Sequence, residues 1–167
     1  MPRKKPAIGK RELKRMTRTK IQSELEAHGL ECENMKAGSI EYTVARFDGE
    51  PNQIVAAIYG SIKGCASLWM KESAFQQVKP ILLKHDAVVE DVAMFRRGFQ
   101  WAVHFDKPDS QLIMPCVEAT VNAGRERLNK TITRRKADER RATERVAREA
   151  KMAERKRDWK DDSPTKK

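Results

Sequence analysis

Cysteine is scarce: Cys32, Cys65 and Cys116 are the three present in 167 residues. An odd, widely spaced set does not make a disulfide framework. Free thiols in a reducing compartment are the expectation, whether cytoplasm, nucleoid or nucleus. No apolar run approaches the ~18 residues a membrane-spanning helix needs, so no membrane partner is expected. The N-terminus, with Arg3, Lys4 and Lys5 between Pro2 and Pro6, is basic. It lacks the apolar stretch of a secretory signal, although its composition also suits a nuclear-localisation patch.

Catalytic and cofactor signatures are missing as well. Gly60 and Gly64 lead into Cys65 rather than Lys-Ser or Lys-Thr, which excludes a phosphate-binding P-loop. His28 and Cys32 stand four apart, but no second close pair exists to complete the roughly four ligands of a zinc site. His104 and Asp106 share a strand face, as a base and its orienting acid would, yet no serine or cysteine is placed beside them by the sequence. Pro108-Asp109 has the start of a nuclease motif without the acidic-x-Lys strand that should follow. The expectation is a non-enzymatic protein with no cofactor and no metal.

What the chain has is charge. Charged residues make up 35% and hydrophobic ones 39%, giving a net charge of +11. A packed body with solvated extensions fits this composition. Residues 1–20 hold nine basic residues and one acid, residues 21–124 nine and fourteen, and residues 125–167 seventeen and nine. The middle is therefore mildly acidic and both ends are strongly basic. Such asymmetry points to a polyanion.

Local patterning predicts an α+β fold: a small antiparallel sheet with an N-terminal, a middle and a long C-terminal helix that extends beyond the body. Residues 1–9 read as a disordered basic arm. Residues 10–28 read as a helix capped by Gly29, with Leu13, Met16, Ile21 and Leu25 roughly on one side. Residues 39–47 alternate as a half-buried strand, and strands are also predicted over 53–59 and 65–70. Ile54, Ile58, Ile62, Cys65 and Trp69 fit helical spacing too, but the glycines at 60 and 64 favour strands. A helix over 73–84 should break or kink at Pro80. Residues 87–95 and 99–105 suggest a hairpin around Arg96-Arg97-Gly98, with a helix through Val88, Val92, Phe95 and Phe99 as the alternative. A short edge strand is expected at 110–114. Pro115 should open a helix running to about 159, packed on the body through Val117, Val121, Leu128 and Ile132. The divisions expected are an arm at 1–9, a compact domain at 10–133, a solvated basic helix at 134–160 and a tail at 161–167.

The order helix, three strands, helix over residues 10–84 is similar to that of double-stranded-RNA-binding domains. The basic patch such domains carry at the start of the second helix has no counterpart, because Lys71, Glu72 and Ser73 stand there. Element order alone assigns no function.

Two cationic sets are candidates for phosphate contact. The first is Arg3, Lys4, Lys5, Lys10, Arg11, Lys14, Arg15 and Arg18. Its cations open a helix, against the macrodipole. The second is Arg134, Arg135, Lys136, Arg141, Arg145, Arg155, Lys156 and Arg157, where arginine, whose planar fork suits phosphate, dominates. Acids interleave with the second set, as they do on a helix that is merely solvated. Arg96, Arg97 and Phe99 offer a stacking platform for unpaired bases, against the alternative of core aromatics and a charged hairpin tip. The expectation is nucleic-acid binding, RNA or DNA undecided. The rival is a protein-binding adaptor, inhibitor or assembly factor that docks through the C-terminal helix inside a nucleoprotein complex.

Overall fold

The computed structural model describes residues 3, 7–95 and 98–162. In chain order the elements are α1 (Lys10–Ala27), β1 (Leu30–Ala37), β2 (Ile40–Phe47), β3 (Ile54–Gly60), β4 (Ala66–Met70), α2 (Glu72–Lys84), β5 (Val88–Asp91), β6 (Trp101–Phe105) and α3 (Ile113–Asp162). The strands form one antiparallel sheet in the order β1-β2-β3-β4-β6-β5. The fold is α+β, with the N-terminal, middle and long C-terminal helices anticipated from the sequence. The chain divides into two units, Met1–Glu126 and Arg127–Lys167.

Strand alternation gives the sheet two different faces. On one, Leu30, Ala45, Ile58, Leu68, Val103 and Phe105 meet Ile21 and Leu25 of α1, Phe75, Val78 and Leu82 of α2, and Ile113, Val117 and Val121 of α3. Burying one such side chain contributes about 1.5–3 kcal/mol, so this three-helix face dominates the stability of the first unit. The other face gathers Val44, Ala57, Tyr59 and Ala102 with Val92 and Phe99 from the β5–β6 connection. Tyr42, Tyr59 and Trp69 form an aromatic row there, with ring centroids 4.9 and 4.3 Å apart.

The N-terminal helix ends as expected, with Gly29 at φ +86° and its N–H donating to the Glu26 carbonyl at 2.9 Å. Its buried stripe is Thr17, Ile21 and Leu25 rather than one through Met16. Thr17 is tolerated in the core because its hydroxyl donates to the Leu13 carbonyl at 2.7 Å.

Several local expectations are corrected. A fourth strand, β1, stands between α1 and the strand read at 39–47, so the order over residues 10–84 is helix, four strands, helix. Residues 110–114 are not an edge strand. The Ser110 and Ile113 N–H groups donate to Lys107 and Ser110 carbonyls, forming turns, and Ile113 already begins α3. Pro115 fits that first turn because N–H groups there have no helical partner. Of residues 87–95 only Val88–Asp91 pairs as a strand; the chain then turns, with the Ala93 N–H donating to Asp91 Oδ1 at 3.0 Å. The second hairpin strand starts at Trp101, not 99. Pro80 does not break α2; it lies on the exposed side, where water can satisfy the carbonyl it frees.

Candidate nucleic-acid interface

Burial of Thr17, Ile21 and Leu25 fixes which side of α1 faces outward. With the i, i+4, i+8 positions turned to the core, Arg11, Lys14, Arg15 and Arg18 fall on the outer flank. They line one wall of a groove of about 980 Å³, whose other wall is Asn34, Lys36, Glu41 and Thr43 of the β1–β2 hairpin. Pairing of Asn34 with Thr43 and of Lys36 with Glu41 puts these four on one sheet face. The Thr43 hydroxyl donates to Asn34 Oδ1 at 2.9 Å. That bond fixes the amide with its carbonyl occupied and leaves its NH₂ donors for a further acceptor.

The groove is electropositive. Against five cations it has only the carboxylates of Glu12 and Glu41. Glu12 lies 3.8 Å from Arg15, with both side chains well exposed, a contact worth at most a few tenths of a kcal/mol. Arg11, Lys14 and Arg18 have no ion pair among the described residues. Arg11, in the first turn, opposes the helix dipole at a cost of about 0.3–1 kcal/mol at low salt. A bound anion would relieve it. Lys10 and Arg3 are exposed and lie outside the groove lining, and Lys4 and Lys5 lie outside the described residues. The sequence reading missed Asn34 and Lys36 because it missed β1.

In the second unit, every residue from Asp138 to Asp162 is exposed. Arg141 stands 3.8 Å from Asp138 and Arg145 4.0 Å from Glu149, all with largely exposed side chains. Arg134, Lys136, Arg155, Lys156 and Arg157 have no ion pair among the described residues. Arg135 is exposed like its neighbours.

Of the stacking set, only Phe99 is among the described residues. Phe99 is only 7% exposed and packs into the second face of the sheet, which removes its ring from any base. Arg96 and Arg97 lie outside the described residues. Trp101 stacks on Phe75 at 4.2 Å, and its indole N–H donates to Glu72.

His104 has partners that its sequence neighbours did not suggest. Nδ1 is 2.5 Å from Ser61 Oγ, and Nε2 is 3.0 Å from Glu90 Oε2, which Lys63 approaches at 3.4 Å. An ionised carboxylate only accepts, so Nε2 carries the proton; on the neutral ring Nδ1 then accepts from the Ser61 hydroxyl. Burial, opposed by the Glu90 carboxylate, lowers the His104 pKa below the usual imidazole value. The hydrogen bond from His104 holds Glu90 below the usual carboxylate value. Ser61 is 4% exposed, so the chain of bonds ties the β3–β4 connection to β5 and β6.

The three cysteines are free thiols. No cluster of metal-ligating side chains occurs among the described residues, and no described helix is long and apolar enough to cross a membrane. No family model, curated protein or solved structure matches the chain.

Proposed function

We propose that this chain is a non-enzymatic nucleic-acid-binding protein that engages phosphates through its basic N- and C-terminal helices. The observation that carries the reading is the groove beside α1. There Arg11, Lys14, Arg15 and Arg18 face Lys36 and the oriented amide of Asn34 across a concave surface. Phosphodiesters suit such a set: several cations neutralise the charge and a neutral donor fixes position. Burial of Ser61 supports a non-catalytic role for its bond to His104. Three free thiols suit a reducing compartment, cytoplasmic, nuclear or nucleoid.

The test is a salt titration of binding to mixed-sequence DNA and RNA, comparing wild type with Arg11→Gln/Lys14→Gln/Arg15→Gln/Arg18→Gln. Counterion release predicts a log–log slope that is shallower in the variant by roughly 3–4, at about 0.9 per lost phosphate contact. A wild-type affinity that ignores salt sinks the reading. Substitution is preferable to deleting residues 1–20, which would remove the buried Thr17.

A second reading, a protein-binding adaptor within a nucleoprotein complex, has its own support. Val146, Met152 and Trp159 on α3 are 63%, 58% and 76% exposed, apolar surface that a protein partner would cover. A pull-down that survives nuclease and moderate salt would favour it.

A further inference from the structure

The charges of the second unit are not scattered around the helix. At about 100° per residue, Lys130, Arg134, Arg141, Arg145, Arg148 and Arg155 fall within one sector of roughly 80°. Arg127, at one edge, and Ala137, Met152 and Trp159 complete it, and among the described residues from Arg127 onward no carboxylate enters it. Asp138, Glu144, Glu149 and Asp162 stand at its margins; Glu139, Glu154, Asp158 and Asp161 point elsewhere. Within the sector Arg134, Arg141, Arg148 and Arg155 recur every seventh residue, an axial interval of about 10.5 Å. The exposed ion pairs of Arg141 and Arg145, at 3.8 and 4.0 Å, are too weak to hold those side chains down.

We propose that this acid-free face of α3 is a binding site for duplex DNA, with its arginines on the phosphates. The inference rests on the nucleic-acid reading above for the class of ligand and goes beyond it in naming the face and the form of nucleic acid. A stiff helix presents cations along a nearly straight line, and a duplex offers phosphates in rows that need not be reorganised to meet them. Single strands are held by aromatic platforms, and Trp159 is the sole aromatic residue from Arg127 to Asp162. The B-form major groove, about 12 Å wide, admits an α-helix, whereas the A-form major groove is too deep and narrow. The margins explain the interleaved acids: they support the helix through i,i+3 and i,i+4 pairs without entering the binding face.

Two full-length variants with equal charge loss test the face. One is Arg134→Gln/Arg141→Gln/Arg148→Gln/Arg155→Gln. The other, away from that face, is Arg135→Gln/Lys136→Gln/Arg140→Gln/Arg157→Gln. Affinity for a 30-base-pair DNA duplex, for one of its strands and for the matching RNA duplex is read by fluorescence anisotropy, with helix content checked by circular dichroism. The expected result is at least about a tenfold loss on duplex DNA for the first variant and less than about threefold for the second. Wild type should prefer duplex DNA to either other probe. Equal losses in the two variants, or a preference for the single strand or duplex RNA, overturn the face while leaving the general reading intact. No salt-sensitive binding to any probe overturns both.

Discussion

Gly124 meets Val55 so closely that a Cβ on the glycine would stand 2.7 Å from Val55 Cγ1, with Phe47 Cε2 at 3.2 Å. The buried part of α3 thus touches β3 at the one glycine of the helix. Alanine gains about 1 kcal/mol of helix propensity over glycine, but overpacking a filled core costs about 1–3 kcal/mol. Val55 is β-branched and buried, so it yields little. Gly124→Ala is expected to lower the melting temperature by a few degrees, measured by thermal denaturation. A rise would mean that the contact relaxes freely.

Acid should destabilise the first unit, beginning with His104. The native His104 pKa lies below its unfolded value, so the unfolded state takes up a proton first as pH falls. The stability from the neutral ring is full above about pH 6.5, the unfolded value, and is lost as pH falls through the native pKa. Glu90, also lowered, acts in the same direction at lower pH. Urea midpoints between pH 8 and pH 4 should fall in wild type. They should fall less in His104→Gln between pH 7 and 5, which would itself be about 1–3 kcal/mol less stable because Ser61 and Glu90 lose their partner.

The wall facing α1 should matter for binding and not for folding. Lys36 is exposed and has no ion pair among the described residues. Neutralising it in Lys36→Gln, which sets no like charge opposite its ladder partner Glu41, should weaken nucleic-acid binding about threefold at low salt with a nearly unchanged melting temperature. Asn34→Ala should weaken it less. Unchanged affinity in both would remove β1 from the interface.

Thiol chemistry should be slow in the native protein. Burial, with Glu26 adding to it, pushes Cys32 up to about 11, and burial pushes Cys116 up to about 12. At pH 8 roughly 0.1% or less of either is thiolate. Cys65, buried, donates to the Asp106 carbonyl at 3.0 Å. Iodoacetamide followed by mass spectrometry should label these sites slowly in the native state and fully in urea. Rapid native labelling of Cys116 would contradict the packing of α3.

Where a segment had one dry and one wet face, its sequence showed it. Phe75, Val78 and Leu82 mark α2 in this way. β2 was legible as a strand from Ile40, Tyr42 and Val44, but not as half-buried, because Thr43, Val44 and Ala45 are all buried between the two packed faces and Ile40 is exposed. β1 was illegible because it is an edge strand whose Glu31, Glu33 and Lys36 are exposed, so no alternating apolar series marks it. With β1 unseen, half the groove was unseen too, although the cations of α1 were plain. The Ser61–His104–Glu90 bonds join positions up to 43 residues apart, a proximity that only the register of β4, β5 and β6 creates. The arginine face of α3 was legible in principle, since it needs only helical period, but counting charges along the chain hid their distribution around it.

The exposure of every residue from Asp138 to Asp162 has a thermal consequence. With no buried side chain among these described residues, they should fray progressively on heating. The β-sheet unit, with its shared interior, should instead give way in one cooperative step. Ellipticity at 222 nm would then decline along a slope well before the fluorescence of Trp69 and Trp101 reports the collapse of the sheet. Bound DNA should flatten that early slope.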